Sequence, residues 1–478
     1  MKILTYDIGT SAVKVSLFSE EGLLLSSVSS NLTTKVEGRK VTQDPKEWWE
    51  KFLSCARQCL QEVNDGEEIT IVGTGQMEDL ILLDEEGNPL TDASLYSDSN
   101  IGDYELPQDL KITIESKIPN QLDSFTPLVK LFYLSSSVSQ LLAKAGYVLL
   151  GAKDYINFKL TGESWTDPTN AATTGLFDFN LRTWVAEVAN CLSLDLLPRI
   201  GQPYEEIGRV KAELLPLLGL KVSSPPLVLN GVGDLGAVTL GAGVFEVGDS
   251  YFYLGTTGWS AVLSQAIAPN RDLFSLAGFR EGEWVVVAPL LNLGNVYDWA
   301  LETFFKKRDY QQGEKALKNK AEVNLQVWPY LNGERSPYRN SRVRSVMTRV
   351  TQGTAGEEFF AAYARSLIFA LRHVSEYLRV DSDVLRLTGG LTRLKGWCQL
   401  LSDVFQRESE VVKDETLAPQ KGLYYLYLMS KGLPLPVVEI EEVYHPRENK
   451  VLEELYQEYK QVAELLLQGK GPISAYLE

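Results

Sequence analysis

The sequence predicts a two-part α/β protein whose second part repeats the first. Three observations carry this. An apolar strand at residues 3–6 ends on Asp7, turns through Gly9, Thr10 and Ser11, and returns as Val13, Val15 and Leu17 alternating with Lys14, Ser16 and Phe18. The same order recurs as a strand at 248–254, the turn Gly255-Thr256-Thr257-Gly258 and a strand at 259–263, this time without the acid. At 478 residues the chain is also too long for one core. We place the domains at 1–240 and 241–478, with the last helix packing back on the first domain.

The first hairpin has a carboxylate at one lip and small hydroxyls at its tip. Backbone N–H groups and hydroxyls in such a turn suit an anion, and Asp7 beside them suits a hydrated cation. An ordinary polar hairpin fits equally well. A third strand follows at 22–30. Asp44 and Pro45 then start a helix, as cap and first-turn residue. Trp48, Trp49, Phe52, Leu53, Ala56, Cys59, Leu60 and Val63 give that helix a heavy apolar face.

A buried strand at 69–72 runs into Gly73-Thr74-Gly75-Gln76-Met77-Glu78-Asp79. Polar residues past the carboxyl end of a buried strand are where open α/β sheets bind ligands. Residues 80–83 return as a hairpin, and 94–100 carry Tyr96 and Asp98. Helices are expected at 127–134, 138–144 and 153–161, the last ended by Gly162. Residues 166–179 read as an irregular polar stretch. A short strand at 227–229 leads to Asn230-Gly231-Val232-Gly233-Asp234, whose acid reads either as a helix cap or as a carboxylate open to a cleft.

In the second half, a strand at 284–288 precedes a helix at 292–305, and residues 306–321 form a charged loop or helix. A long helix is expected at 357–378. A strand at 384–387 opens into Thr388-Gly389-Gly390, and helices near 397–405, 418–430 and 451–467 complete the chain.

Composition narrows the function. With 44% apolar and 23% charged residues, the chain is neither disordered nor fibrous. A net charge of −17 disfavours a nucleic-acid partner. Cys55, Cys59, Cys191 and Cys398 form no Cys-x-x-Cys pair and read as thiols of a reducing compartment. His373 and His445 are the only histidines, which leaves a Ser-His-Asp triad and His-rich metal sites unsupported. No signal region and no run of about 18 apolar residues is seen, so the expected location is the cytoplasm, away from membrane.

The motifs then converge. Asp7-Ile-Gly-Thr-Ser-x-x-Lys14, Gln43-Asp44-Pro45-x-x-Trp48-Trp49, Gly75-Gln76-Met77, Lys153-Asp154-Tyr155 with Leu160-Thr161-Gly162, and Thr166-Asp167 with Asn170-Ala171 stand in order. Gly233-Asp234, Gly255-Thr256-Thr257-Gly258, Gly333-Glu334-Arg335-Ser336-Pro337 and Thr388-Gly389-Gly390 follow. Together they resemble the FGGY carbohydrate kinases, and within them the xylulose-phosphorylating branch. The resemblance implies two actin-like ATPase (ribonuclease H-like) domains with a catalytic cleft between them. It also implies transfer of the γ-phosphoryl group of ATP to a sugar hydroxyl, with Mg²⁺ and domain closure that excludes water.

Carried over residue by residue, Asp234 is the general base, and Asp7 with Asp234 holds Mg²⁺ through waters. Gly9, Thr10, Ser11, Lys14, Gly255, Thr256, Thr257, Asn292, Gly389 and Gly390 bind ATP. Gln76, Met77, Glu78, Asp79, Asp98 and Asp234 line the sugar. The substrate implied is a ketopentose such as xylulose, with ribulose, a deoxyketohexose, glycerol or erythritol as alternatives. A catalytically weak sugar-sensing relative is the reading from another class. Relatives form homodimers.

Three departures from the family pattern stand out. Glu78-Asp79 replaces the branch's His-Gly, and Tyr96-Ser97-Asp98-Ser99-Asn100 replaces its Asp-Gln-Arg run. Glu415-Thr416-Leu417-Ala418-Pro419-Gln420-Lys421-Gly422 replaces a small-residue helix, with bulkier side chains expected on the adenine side. Ionised Glu78 and Asp79 suit hydroxyl donors and disfavour an acid such as gluconate.

Overall fold

The computed structural model describes residues 1–222, 224–414 and 417–469, so Glu415 and Thr416 of the third departure lie outside the described residues. The chain forms two compact units. The first holds Met1–Gly241, Ser275–Trp284 and Leu417–Pro436, and the second holds 242–274, 285–414 and 437–469. The segments that rejoin the first unit are therefore Ser275–Trp284 and Leu417–Pro436. The last helix, Lys450–Gln468, packs instead on the helix Gly356–Tyr377 of its own unit.

The first unit opens with β1 (Lys2–Ile8), β2 (Ala12–Ser19) and β3 (Leu24–Asn31), followed by β4 (Lys35–Glu37) and β5 (Lys40–Gln43). After the helix Pro45–Cys59 come β6 (Ile69–Gly75), β7 (Met77–Leu83), β8 (Ala93–Ser94) and β9 (Tyr147–Gly151), then β10 (Glu206–Arg209) and β11 (Leu227–Leu229). The main sheet has the order β10-β11-β6-β1-β2-β3, and a second sheet has the order β4-β5-β8-β7-β9. In the main sheet β1, β6 and β11 are parallel neighbours. Their carboxyl ends therefore lie side by side, and they carry Asp7, Thr74-Gly75 and the loop to Asp234.

The helix Pro45–Cys59 forms as its sequence demands. Asp44 accepts the Lys46 backbone N–H at 2.9 Å, and Trp48, Phe52, Ala56 and Cys59 bury against Leu4, Tyr6, Val15 and Leu17 of the sheet. A separate core lies over the second sheet, built on Leu80, Leu82, Ile114, Leu128, Leu131, Val148 and Leu150. Residues 166–179 are more regular than expected. Asp167 accepts the backbone N–H groups of Thr169 and Asn170 and so starts the short helix Pro168–Thr173.

The second unit repeats the first. Its strands are β12 (Ser250–Leu254), β13 (Gly258–Ser264), β14 (Trp284–Leu290), β15 (Val384–Thr388), β16 (Glu408–Val412) and β17 (Ile440–Tyr444). Within the unit they follow the order β14-β13-β12-β15-β16-β17, which mirrors β3-β2-β1-β6-β11-β10 strand for strand. The hairpin β12–β13 is antiparallel and β12, β15 and β16 are parallel, as in the first unit. The charged stretch after 306 forms the helix Tyr310–Lys320, capped by Asp309.

The third departure leaves a clear trace. The helix Ala418–Ser430 crosses the helix Asp234–Gly241 with backbones almost touching. A Cβ at Gly241 would lie 1.8 Å from the Ala418 carbonyl oxygen, and one at Gly422 would lie 2.0 Å from that of Ala237. Smallness is thus kept at these two points of close approach. No helix among the described residues is long and apolar enough to cross a membrane.

Candidate active site

In the first unit, Asp7 ends β1 opposite Lys14 of β2 and Thr74 of β6. One of its carboxylate oxygens, Oδ1, is buried without a hydrogen-bond partner. Burial pushes the Asp7 carboxyl up to about 6, with the Lys14 ammonium drawing it down. Asp234 is the first residue of the helix Asp234–Gly241, and its Oδ1 accepts the Leu235 N–H at 2.7 Å. Burial, then the neighbouring Asp7 charge, push its carboxyl up to about 7. Two buried carboxyls, Asp234 raised further by the Asp7 charge, beside an orphaned oxygen are a donor set that a hydrated divalent cation satisfies. Mg²⁺ commonly takes one or two carboxylates and keeps its waters. Among the described residues no cluster of three or more metal-ligating side chains exists, so the pair suits such an ion rather than a caged metal.

The Gly9–Ser11 turn is held from behind. The Thr10 hydroxyl donates to Gln76 Oε1 at 3.1 Å, and its carbonyl accepts Gln43 Nε2 at 2.7 Å. Gln76 Nε2 donates to Gln43 Oε1, which also accepts the Trp48 indole N–H at 2.8 Å. Gln76 is buried, and its amide braces the Gly9–Ser11 turn. This brace also explains why Gln43 and Trp48 belong to the same motif.

Residues 77–79, expected as a loop, begin β7, with Glu78 in a left-handed conformation at φ 62. A non-glycine residue there is uncommon, and such positions concentrate at functional sites. Met77 lies against Gly233, where a Cβ would come 2.5 Å from its sulfur. Asp79 is fully buried, and neither of its carboxylate oxygens has a hydrogen-bond partner. Burial pushes its carboxyl well up, the Lys130 ammonium pulls it down, and the Asp234 charge pushes it further up.

Lys130 was not singled out by the sequence, because it sits inside an apolar helical pattern. It is buried, donates to the Leu95 carbonyl at 2.7 Å, and feels Asp98, Asp79 and Glu78. Asp98 accepts the Ser94 hydroxyl at 2.7 Å and the Asn100 N–H at 3.0 Å. The structure therefore groups Glu78, Asp79, Asp98 and Lys130 into one charged cluster.

The loop to Asp234 rests on a buried ion network. Lys153 Nζ lies 2.7 Å from Asp154, 3.3 Å from Asp167 and 3.1 Å from the Asn230 carbonyl oxygen. Asn157 donates to the same carbonyl at 2.8 Å, and Asn170 donates to Asp154 at 3.1 Å. Gly231, at φ +75, lies so close to β6 that a Cβ would come 2.0 Å from the Gly73 oxygen. The Lys153-Asp154 and Thr166-Asp167…Asn170 motifs thus meet around one loop.

In the second unit the turn after β12 packs on the start of the helix Gly294–Phe305. Gly294 N–H donates to the Gly255 carbonyl and Asn295 N–H to that of Thr256, while the Thr256 and Thr257 side chains are exposed. The neighbouring parallel strand β15 ends at Gly389, whose φ of +102 favours glycine, and Gly390 is open. Both turns stand at carboxyl ends of adjacent parallel strands.

Asn292, expected from the resemblance as an ATP contact, stands at the start of the second unit's 292–305 segment. It is buried, donates to the Gly333 carbonyl at 2.6 Å and Glu334 at 2.9 Å, and accepts the Asn332 N–H at 3.1 Å. It ties down the 332–334 loop. Glu334 completes that tie by accepting the Leu291 N–H at 2.7 Å, and burial pushes its carboxyl up to about 7. The folded state then holds a proton on Glu334 between about 4.5 and 7 that the unfolded chain releases. Stability from this group is full below about 4.5 and lost as pH rises through 7, by about 3 kcal/mol. Urea unfolding from pH 4.5 to 8 should show a less negative slope of stability against pH in Glu334→Gln than in wild type. Parallel curves would contradict this.

The comparison with known proteins follows this division. The N-terminal domain model of the FGGY carbohydrate kinases matches residues 2–241, and the C-terminal domain model matches 250–419. The chain belongs to the FGGY family of carbohydrate kinases. It is an ATP-dependent sugar kinase with the family's actin-like, ribonuclease H-like fold.

A xylulose kinase of Staphylococcus epidermidis is 25% identical over 498 residues, covering 99% of this chain and 98% of its own. A glycerol kinase of Cereibacter sphaeroides is 27% identical over 465 residues, covering 90% and 91%. Among solved structures, ligand-bound xylulose kinase from Lactobacillus acidophilus aligns with a TM-score of 0.87 at 24% identity, covering 97% of this chain and 98% of that one. The last likeness speaks to the fold.

Proposed function

We propose that this FGGY kinase phosphorylates a small neutral ketose, xylulose before others, from Mg²⁺-ATP. The observation that carries the reading is the pair Asp7, near the carboxyl end of β1, and Asp234, on the loop past that of β11, the two strands that flank β6, with the unpartnered Asp79 close to Asp234. Asp234 accepts the proton of the attacking sugar hydroxyl as the new O–P bond forms. Asp7 and Asp234 hold the Mg²⁺, whose charge would stabilise the transferring phosphoryl oxygens. A cation beside the pair also favours the ionised Asp234 that a base requires. The turns at Gly9–Ser11 and Gly255–Thr257 offer N–H groups and hydroxyls to the phosphates, with Lys14 beside the first. Gly389 and Gly390 let the backbone approach the nucleoside.

The sugar pocket supports a polyhydroxylated, uncharged substrate. Burial pushes the Asp79 carboxyl well up, and a carboxyl that carries a proton both donates and accepts, as does a hydroxyl. The acids outnumber Lys130 in this cluster, which disfavours a sugar acid. The alternative is glycerol or another polyol, favoured by the acidic residue at 78 and by the glycerol kinase relative. Calorimetric titration with D-xylulose and with glycerol tests both. We expect Asp79→Asn to weaken binding of the true substrate at least 10-fold. Unchanged affinity would remove Asp79 from the pocket.

The four cysteines are free, three of them buried, consistent with a reducing cytoplasm. The charge of −17 argues against nucleic acid. Homodimerisation rests on the family resemblance alone, and sedimentation equilibrium tests it.

A further inference from the structure

Asp7 and Asp234 sit on different segments, and the protein must fix how far apart they stand. Two buried hydroxyls join those segments. Thr74 is the register partner of Asp7 on the adjacent strand, and its hydroxyl donates to the Val232 carbonyl at 2.6 Å, two residues before Asp234. Tyr6 precedes Asp7, and its ring crosses Gly73 so closely that a Cβ there would lie 2.0 Å from it. The Tyr6 hydroxyl donates to Asn157 Oδ1 at 2.7 Å, and Asn157 donates onward to the Asn230 carbonyl. Both tethers are fully buried, so no water competes with them. Between them, Val232 N–H donates to the Gly73 carbonyl at 3.2 Å, which leaves the loop little freedom to slide along the strand.

We propose that Thr74 and Tyr6 are positioning residues that set the separation of the Asp7 and Asp234 carboxylates, and so the affinity for the divalent cation the pair shares. The inference rests on the metal role given to that pair above. Shared coordination is sensitive to spacing, because a second carboxylate contributes only where one hydration shell reaches both. Small displacements of supporting groups are known to change metal affinity strongly.

The test uses the full chain with ADP, titrated with Mn²⁺ and read by electron paramagnetic resonance, and needs no turnover. Thr74→Val keeps the shape and removes the hydroxyl, and Tyr6→Phe does the same for the second tether. Tyr456→Phe is the matched control. It removes an equally buried phenol that donates to Glu376 at 2.7 Å in the other unit. We expect Thr74→Val to weaken Mn²⁺ binding at least 3-fold, Tyr6→Phe at least 2-fold, and Tyr456→Phe less than 2-fold.

In the kinase assay, kcat should fall with Thr74→Val while the sugar KM stays within 2-fold. A change of less than 2-fold in Mn²⁺ affinity in Thr74→Val, or an equal change in the control, overturns the proposal. Absence of Mn²⁺ binding to wild type, or binding indifferent to Asp7→Asn, is a different failure. It removes the metal role of the pair itself.

Discussion

Asp234→Asn abolishes sugar-dependent ADP release, with kcat expected to fall by about 10²–10⁴-fold, the range for losing a general base. The carboxamide keeps the shape and can still accept the Leu235 N–H, so the helix start survives. It cannot take the hydroxyl proton. The substitution also removes a buried carboxyl that desolvation and then the Asp7 charge push up, so the melting temperature should stay equal or rise. Loss of turnover together with loss of folding would point to a structural role. Retained turnover would remove Asp234 from the base position.

The largest stability effect is expected at Lys153. Its ammonium faces Asp154 and Asp167, and all three side chains are buried. Lys153→Met leaves two carboxylates without their cation, and breaking a buried pair in this way costs about 3–5 kcal/mol. Burial and the paired charges act on both sides of the network. Desolvation opposes the Lys153 charge and the two acids restore it, with the net shift upward. Urea unfolding measures the loss directly. A decrease under about 1 kcal/mol would show that the network is not a stability element. The double variant Lys153→Met with Asp167→Asn should recover part of the loss, because it removes one orphaned charge.

Much of the fold was legible before the structure. Asp44 and Pro45 announced a helix through local chemistry, and the Gly-Thr hairpin announced itself twice. The repeat is deeper than those hairpins suggested, since the six strands of the first main sheet recur in the same order in the second. Parallel pairing across long separations leaves little local trace, so only the hairpins were visible. Residues 77–79 belong to β7, which follows β6 after a break of one residue, Gln76, and hydropathy alone does not reveal it.

The site was partly legible in the same sense. Motif order names Asp7, Thr10 and Asp234 as candidates. Gln76 and Asn292 are expected as ligand contacts because amides in a binding motif suggest that, and the structure shows that both also hydrogen-bond inside the protein. Lys130 was hidden by its helical surroundings. Which polar residues face substrate and which hold the loops that do is decided by tertiary packing, which one sequence does not display.

The central claim is that this kinase acts on a neutral ketose. A coupled ADP-release assay with Mg²⁺-ATP tests it most directly, across D- and L-xylulose, D- and L-ribulose, L-fuculose, L-rhamnulose, glycerol, erythritol and gluconate. Strong turnover with D-xylulose, none with gluconate and no signal from Asp234→Asn are expected. Turnover of gluconate above every ketose, or a panel flat at the no-sugar background, would contradict it.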